Sequence, residues 1–140
     1  MIGNERTAEA AGGEVAQATW VPFDPQDKTV DPELLEGCDY YRTPRAEHER
    51  SPSKFPLVNF GRLLAFTAFN LVDMINRPIL FIAGSKAGTR WMSDQTFANI
   101  KHAEKELFHV EGASHFDMYD KEPYASEAVE KMGEFFGKNL

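Results

Sequence analysis

The chain has 140 residues, a formal net charge of −7 and a single cysteine, Cys38. With 42% hydrophobic residues it can build a core, and its length suits one domain of ordinary size. The acidic balance speaks against nucleic acid or an anionic membrane as a partner, because both require a basic face. No apolar run reaches the roughly 20 residues of a membrane span. The opening Met-Ile-Gly-Asn-Glu-Arg lacks the basic-then-apolar order of a signal peptide. One cysteine excludes an internal disulfide, and the whole reads as a soluble, cytoplasmic protein.

Residues 1 to 54 form an irregular and helical, cap-like segment. Thr7 to Ala18 is alanine-rich and suits a helix, interrupted by Gly12-Gly13 at about 1 kcal/mol per glycine. Val21-Pro22 and Asp31-Pro32 are extended or turning, since a residue before proline avoids the α region. Pro32 to Glu36 suits one helical turn, stopped at Gly37. Arg42, Arg45, Arg50 and Lys54 cluster beside Glu47 and Glu49, the pattern of a solvated face.

From Phe55 to the end the chain is richer in apolar residues. Phe60, Leu63, Leu64, Phe66, Phe69, Leu71, Val72 and Ile75 span about four turns and cover more than one helical face. The expected element is a helix buried on most sides, ending before Pro78. Its aromatic residues could line a substrate pocket, but core packing is their commoner role.

Ile79 to Ala83 is a short unbroken apolar run that suits a strand buried on both faces of a parallel sheet. Gly84 ends it. Met92-Ser93 is the expected helix start, with Ser93 as cap and Phe97 and Ile100 turned inward. Lys105 to Val110 supplies a second strand, and Gly112 turns the chain toward His115. This is a βαβ unit, which implies parallel pairing. Pro123 opens a last helix whose apolar residues run from Ala125 to Phe136, and Gly137 is placed to stop it.

Three stretches carry a resemblance. Arg77 to Ser85, Gly112 to Asp120 and Phe135-Phe136, with Asp39 to Ala46 and Ser51-Pro52 before them, resemble the C-terminal part of an α/β-hydrolase. The likeness is greatest to the dienelactone-hydrolase-like branch and covers roughly residues 30 to 140. It implies a partial α/β-hydrolase fold in which the two parallel strands are the last of the sheet. It also implies an ester- or lactone-type hydrolase whose triad histidine is His115, on the loop after the last strand. The triad acid would lie on the loop after the preceding strand, at Gly88.

Acyl transfer by a triad needs a nucleophile, a histidine base and a carboxylate to orient the imidazole. The resemblance makes His115 the base; from the residues alone the favoured reading is a loop histidine bonded to backbone. Gly88 cannot orient a ring. Asp94 suits helix capping, and Asp117 and Asp120 suit turns near the histidine. No G-x-S-x-G elbow exists, and Ser85 has the wrong glycine spacing. Cys38 follows no buried strand and reads as a structural thiol. The four histidines show no metal-ligand spacing, and no cofactor is implied.

Two parallel strands leave unpaired edges. The sheet edge is therefore expected to be covered by the N-terminal segment, by a second copy of the chain or by a partner chain, with oligomerisation as the expectation. Two functions follow: a hydrolase-like chain, catalytically incomplete alone because nucleophile and acid are missing, or a non-catalytic binding or assembly module on the same scaffold.

Overall fold

The structure, a computed structural model, describes residues 2–27 and 29–140. It divides into two compact units, Met1–Thr67 and Ala68–Leu140.

In the first unit, helix α1 (Ile2–Ala10) ends before Gly12, whose φ of +84° turns the chain so that Gly13 donates to the Ala8 carbonyl. The helix thus lies ahead of the glycine pair, not across it as expected for Thr7 to Ala18. Strands β1 (Gln17–Thr19) and β2 (Lys54–Pro56) pair antiparallel, with Ala18 opposite Phe55. Between them lies helix α2 (Pro32–Tyr41), where Asp31 Oδ1 accepts from Glu33 N at 2.8 Å and Pro32 takes the first helical position.

Helix α2 is longer than the single turn expected, because Gly37 does not stop it. Gly37 and Cys38 are both buried inside it. The cost of an interior glycine, about 1 kcal/mol, is offset by that burial and by the clamp at the helix end. There the Arg42 guanidinium donates to the Val21 and Pro22 carbonyls at 2.8 Å each and lies 3.8 Å over the Phe23 ring. Arg45 pairs with Asp39 at 3.0 Å. Two of the four clustered cations are therefore structural.

The long buried helix expected over Phe60 to Ile75 does not form. Helix α3 covers only Phe60–Ala65, Phe66 is extended, and Ala68–Met74 is a 3₁₀ segment broken at Leu71. Leu64, Phe66, Leu71 and Met74 are exposed. The run has apolar residues on all sides but no cap. Thr67 is β-branched, and the short polar Asn70 and Asp73 compete for backbone hydrogen bonds.

The second unit is built on β3 (Ile79–Gly84) and β4 (Lys105–Val110), parallel and in register from Ile79 opposite Lys105 to Gly84 opposite Val110. Helix α4 (Arg90–Asn99) makes the crossover. The Lys105 ammonium closes its end by donating to the Phe97 and Ile100 carbonyls at 2.5 and 2.7 Å. The cap of helix α4 lies four residues earlier than expected, at Thr89, so Ser93 falls within the helix. A short helix α5 (Asp117–Asp120) and helix α6 (Tyr124–Asn139) follow. Helix α6 continues through Gly137, the expected stop. Beyond it Lys138 pairs with Glu104 at 2.6 Å and Asn139 donates to the Phe135 carbonyl.

The core of this unit is Val110, Ala113 and Ala128, with Ile82, Phe108, Met118 and Tyr124 against it. Strand β3 is half-buried rather than buried on both faces as expected; only Gly84 is fully enclosed. The reason is that, among the described residues, β3 has one strand neighbour. Ile79 N and Ser85 N donate to the Glu104 and Val110 carbonyls, on the β4 side. By alternation, the Leu80 and Ile82 N–H groups point to the other edge. Among the described residues no strand pairs there. Beside that edge, Ile79, Leu80, Ile82, Met132, Phe135 and Phe136 line an apolar groove.

Candidate functional site

The loops after β3 and β4 leave the same end of the parallel pair, where open α/β sheets place their sites. They are fastened together. Lys86 N donates to the Ala113 carbonyl at 2.9 Å, and Gly112 N donates to Ser85 Oγ at 2.8 Å. Gly112 turns at a φ of +80°. A Cβ on Gly84 would stand 2.6 Å from the Ser114 carbonyl oxygen, so only glycine lets the second loop cross the strand end this closely.

This fastening brings His115 to the first loop. Its Nδ1 lies 2.8 Å from Thr89 Oγ1, and its Nε2 lies 2.7 Å from the Tyr119 hydroxyl. Phe116 and Tyr119 meet the imidazole edge-on, with ring centres 5.1 and 5.3 Å away. A cleft of about 200 Å³ opens beside the ring, lined by Ala83, Ala87, Ser93 and Met118 among others.

No carboxylate is bonded to His115 among the described residues. Gly88 immediately precedes Thr89, so the loop expected to carry an acid does meet the histidine, through a hydroxyl. Asp94 lies 2.8 Å from His109 Nε2 and 3.3 Å from Arg90 Nε. Asp117 Oδ2 accepts from Ser114 N, Ser114 Oγ accepts from Asp117 N, and Asp117 Oδ1 pairs with Lys121 at 2.7 Å. This reciprocal pair at i and i+3 is a capping box, the local role a carboxylate near a turn usually has. Partial burial pushes the Asp117 carboxyl up, but the Lys121 and Ser114 bonds outweigh it and hold the group below its ordinary 3.8.

The nucleophile candidates have other partners. Ser85 Oγ holds the Gly112 amide, and Cys38 is buried in the first unit. Among the described residues no group of three or more His, Cys, Asp or Glu side chains could hold a metal ion. Two residues that sequence reasoning passed over, Thr89 and Tyr119, make the ring contacts. Thr89 could have been found as the polar residue next to the expected acid position. Tyr119 lies four residues past His115, the spacing that brings side chains together on a helical turn.

A parallel strand pair with a helical crossover, paired loops at its C-terminal edge and several packed helices defines the second unit as mixed α/β. The chain is similar to the uncharacterized protein YcjY of Escherichia coli strain K12, 32% identical over 138 residues, which is 98% of this chain and 45% of that protein. It is 36% identical over 92 residues to the uncharacterized protein PA2218 of Pseudomonas aeruginosa, covering 63% of this chain and 24% of that one. The crystal structure of hypothetical protein PA2218 matches with a TM-score of 0.83 at 28% identity, over 99% of this chain and 43% of that chain. The structure of DcsB in complex with its substrate analogue matches with a TM-score of 0.78 at 16% identity, a likeness of fold, over 99% of this chain and 49% of that one. No family model matches the sequence. The chain thus spans less than half the length of each of these proteins. No helix of the described residues is long and apolar enough to cross a membrane.

Proposed function

We propose that this chain is the histidine-bearing part of an α/β-hydrolase-like scaffold, of the ester- and lactone-cleaving kind that its dienelactone-hydrolase-like motifs resemble. His115 is the base, the chain is inactive alone, and it works in the cytoplasm without a cofactor. The observation that carries this reading is the placement of His115. It stands at the C-terminal edge of the parallel pair, is held at Nδ1 from the neighbouring loop, and turns Nε2 toward a hydroxyl beside a cleft. A base for acyl transfer needs its ring held in this way. The nucleophile comes from outside these 140 residues, which accords with relatives more than twice as long.

The test is complementation. The chain is mixed with the part of the Escherichia coli relative that it does not cover, the complex is isolated, and hydrolysis of small aryl esters is measured. Hydrolysis is expected only from the complex and is expected to fall at least a hundredfold with His115→Ala. A complex without hydrolysis, or hydrolysis indifferent to His115→Ala, contradicts the reading.

A second reading, a non-catalytic binding or assembly module, is favoured by the open edge of β3 and the apolar groove beside it. Unpaired N–H and C=O groups next to an apolar groove are a template for an added strand. A second copy of this chain, or a partner chain, would occupy that edge. Both readings require something to complete the sheet.

A further inference from the structure

We propose that Thr89 is the positioning residue of His115: its hydroxyl accepts a hydrogen bond from Nδ1–H, which leaves Nε2 as the basic nitrogen, with the Tyr119 phenol as its donor. The role assigned to Thr89 rests on the reading of His115 as a base. The protonation pattern itself does not.

A neutral imidazole has one donor and one acceptor nitrogen. Here both nitrogens face hydroxyls, at 2.8 and 2.7 Å. Two arrangements satisfy both contacts, and the chemistry of the hydroxyls separates them. The phenol is by far the stronger acid, with an ordinary pKa near 10. Its oxygen, depleted by the ring, is the poorer acceptor. An aliphatic hydroxyl is the reverse. The better donor therefore gives its proton to the ring nitrogen, and the better acceptor takes one from it. Tyr119 O–H points at Nε2, and Nδ1–H points at Thr89 Oγ1.

The local structure fits this assignment. Thr89 occupies the cap position of α4, where a threonine oxygen ordinarily accepts from a backbone N–H of the first turn. It makes no such bond. Its backbone is held by the turn in which Arg90 N donates to the Ala87 carbonyl and by Met92 N donating to its own carbonyl, and its β-branched side chain has few rotamers. On the other side, the Lys86–Ala113 bond and the close crossing at Gly84 hold the His115 loop in place. The ring is therefore gripped at Nδ1 by a rigid partner.

A hydroxyl here performs half of what a carboxylate does in a triad. It selects the tautomer and aims Nε2, but it brings no charge to stabilise the imidazolium that forms when Nε2 takes a proton. Any group that His115 deprotonates must also displace the Tyr119 phenol from Nε2. Thr89 sets the base; Tyr119 holds its place until a substrate or nucleophile arrives.

The experiment is a long-range ¹⁵N–¹H correlation spectrum of the histidine rings of the intact chain, recorded where imidazole is neutral. It reads which ring nitrogen is protonated, without any turnover. Wild type is expected to give the Nδ1–H form of His115, and Thr89→Ser is expected to keep it. Thr89→Val should weaken it to an averaged pattern, because with no acceptor facing Nδ1–H the phenol can turn to accept from Nε2–H instead. Tyr119→Phe should leave Nδ1 protonated, since only the donor to Nε2 is removed. An Nε2–H or averaged pattern in wild type overturns the proposal, as does an unchanged pattern in Thr89→Val. If Thr89→Val does not fold, Tyr119→Phe decides: a switch to Nε2–H there would mean that the phenol, not Thr89, sets the tautomer. The outcome is distinguishable from failed complementation, which would leave the ring assignment standing.

Discussion

Asp117 illustrates why a carboxylate two residues from a histidine need not serve it. Its oxygens go to Ser114 N and to the Lys121 ammonium. Those bonds favour the charged form and keep the carboxyl below its ordinary 3.8. A group with a depressed folded value contributes stability that is present above its unfolded value and lost as pH falls through the folded one. Asp117→Asn should therefore destabilise the chain at neutral pH, by an amount on the order of 1 kcal/mol. The gap in melting temperature between wild type and variant should close below about pH 4. A gap that stays constant or widens toward acid would show that Asp117 acts through something other than its charge. At this scale the sequence placed His115 on the loop after the second strand, where the structure has it. It could not give the hydroxyl pair. Nothing in the sequence singled out Thr89, and only the crossing of the two loops at Gly84 brings it to the ring.

Among the elements, the strands were the most legible. Unbroken apolar or alternating runs bounded by Gly84 and Gly112 fixed β3 and β4, and the helical run after Ser93 fixed the crossover. The helix boundaries were less so. Gly37 and Gly137 were expected to stop helices that in fact continue, because burial or a tethered end outweighs one glycine. The Phe60–Ile75 stretch failed for a different reason. Hydrophobicity on every side carries no periodic signal, so nothing marks where the extended Phe66 or the irregular Leu71 interrupts the helix. The geometry of β3 gives a prediction at this scale. In dilute solution, the Leu80 and Ile82 amides should exchange with deuterium much faster than Phe81, whose N–H faces β4. Equal protection at all three positions would mean that the edge is already covered.

The whole molecule is shaped by what its sheet lacks. A two-stranded parallel sheet normally lies inside a larger one with both faces covered. Among the described residues no strand pairs with the outer edge of β3, and in the same unit Leu71, Met74, Val129 and Phe136 are exposed. The chain spans about half the length or less of the proteins it matches. The unpaired edge was legible from the sequence, because one βαβ unit supplies two strands and no third apolar run follows. The most direct test of an incomplete sheet is sedimentation velocity of the 140-residue chain over a micromolar concentration series. The account predicts a dimer or larger species, with the Leu80 and Ile82 amides gaining protection as it forms. A well-folded monomer throughout the series would contradict it.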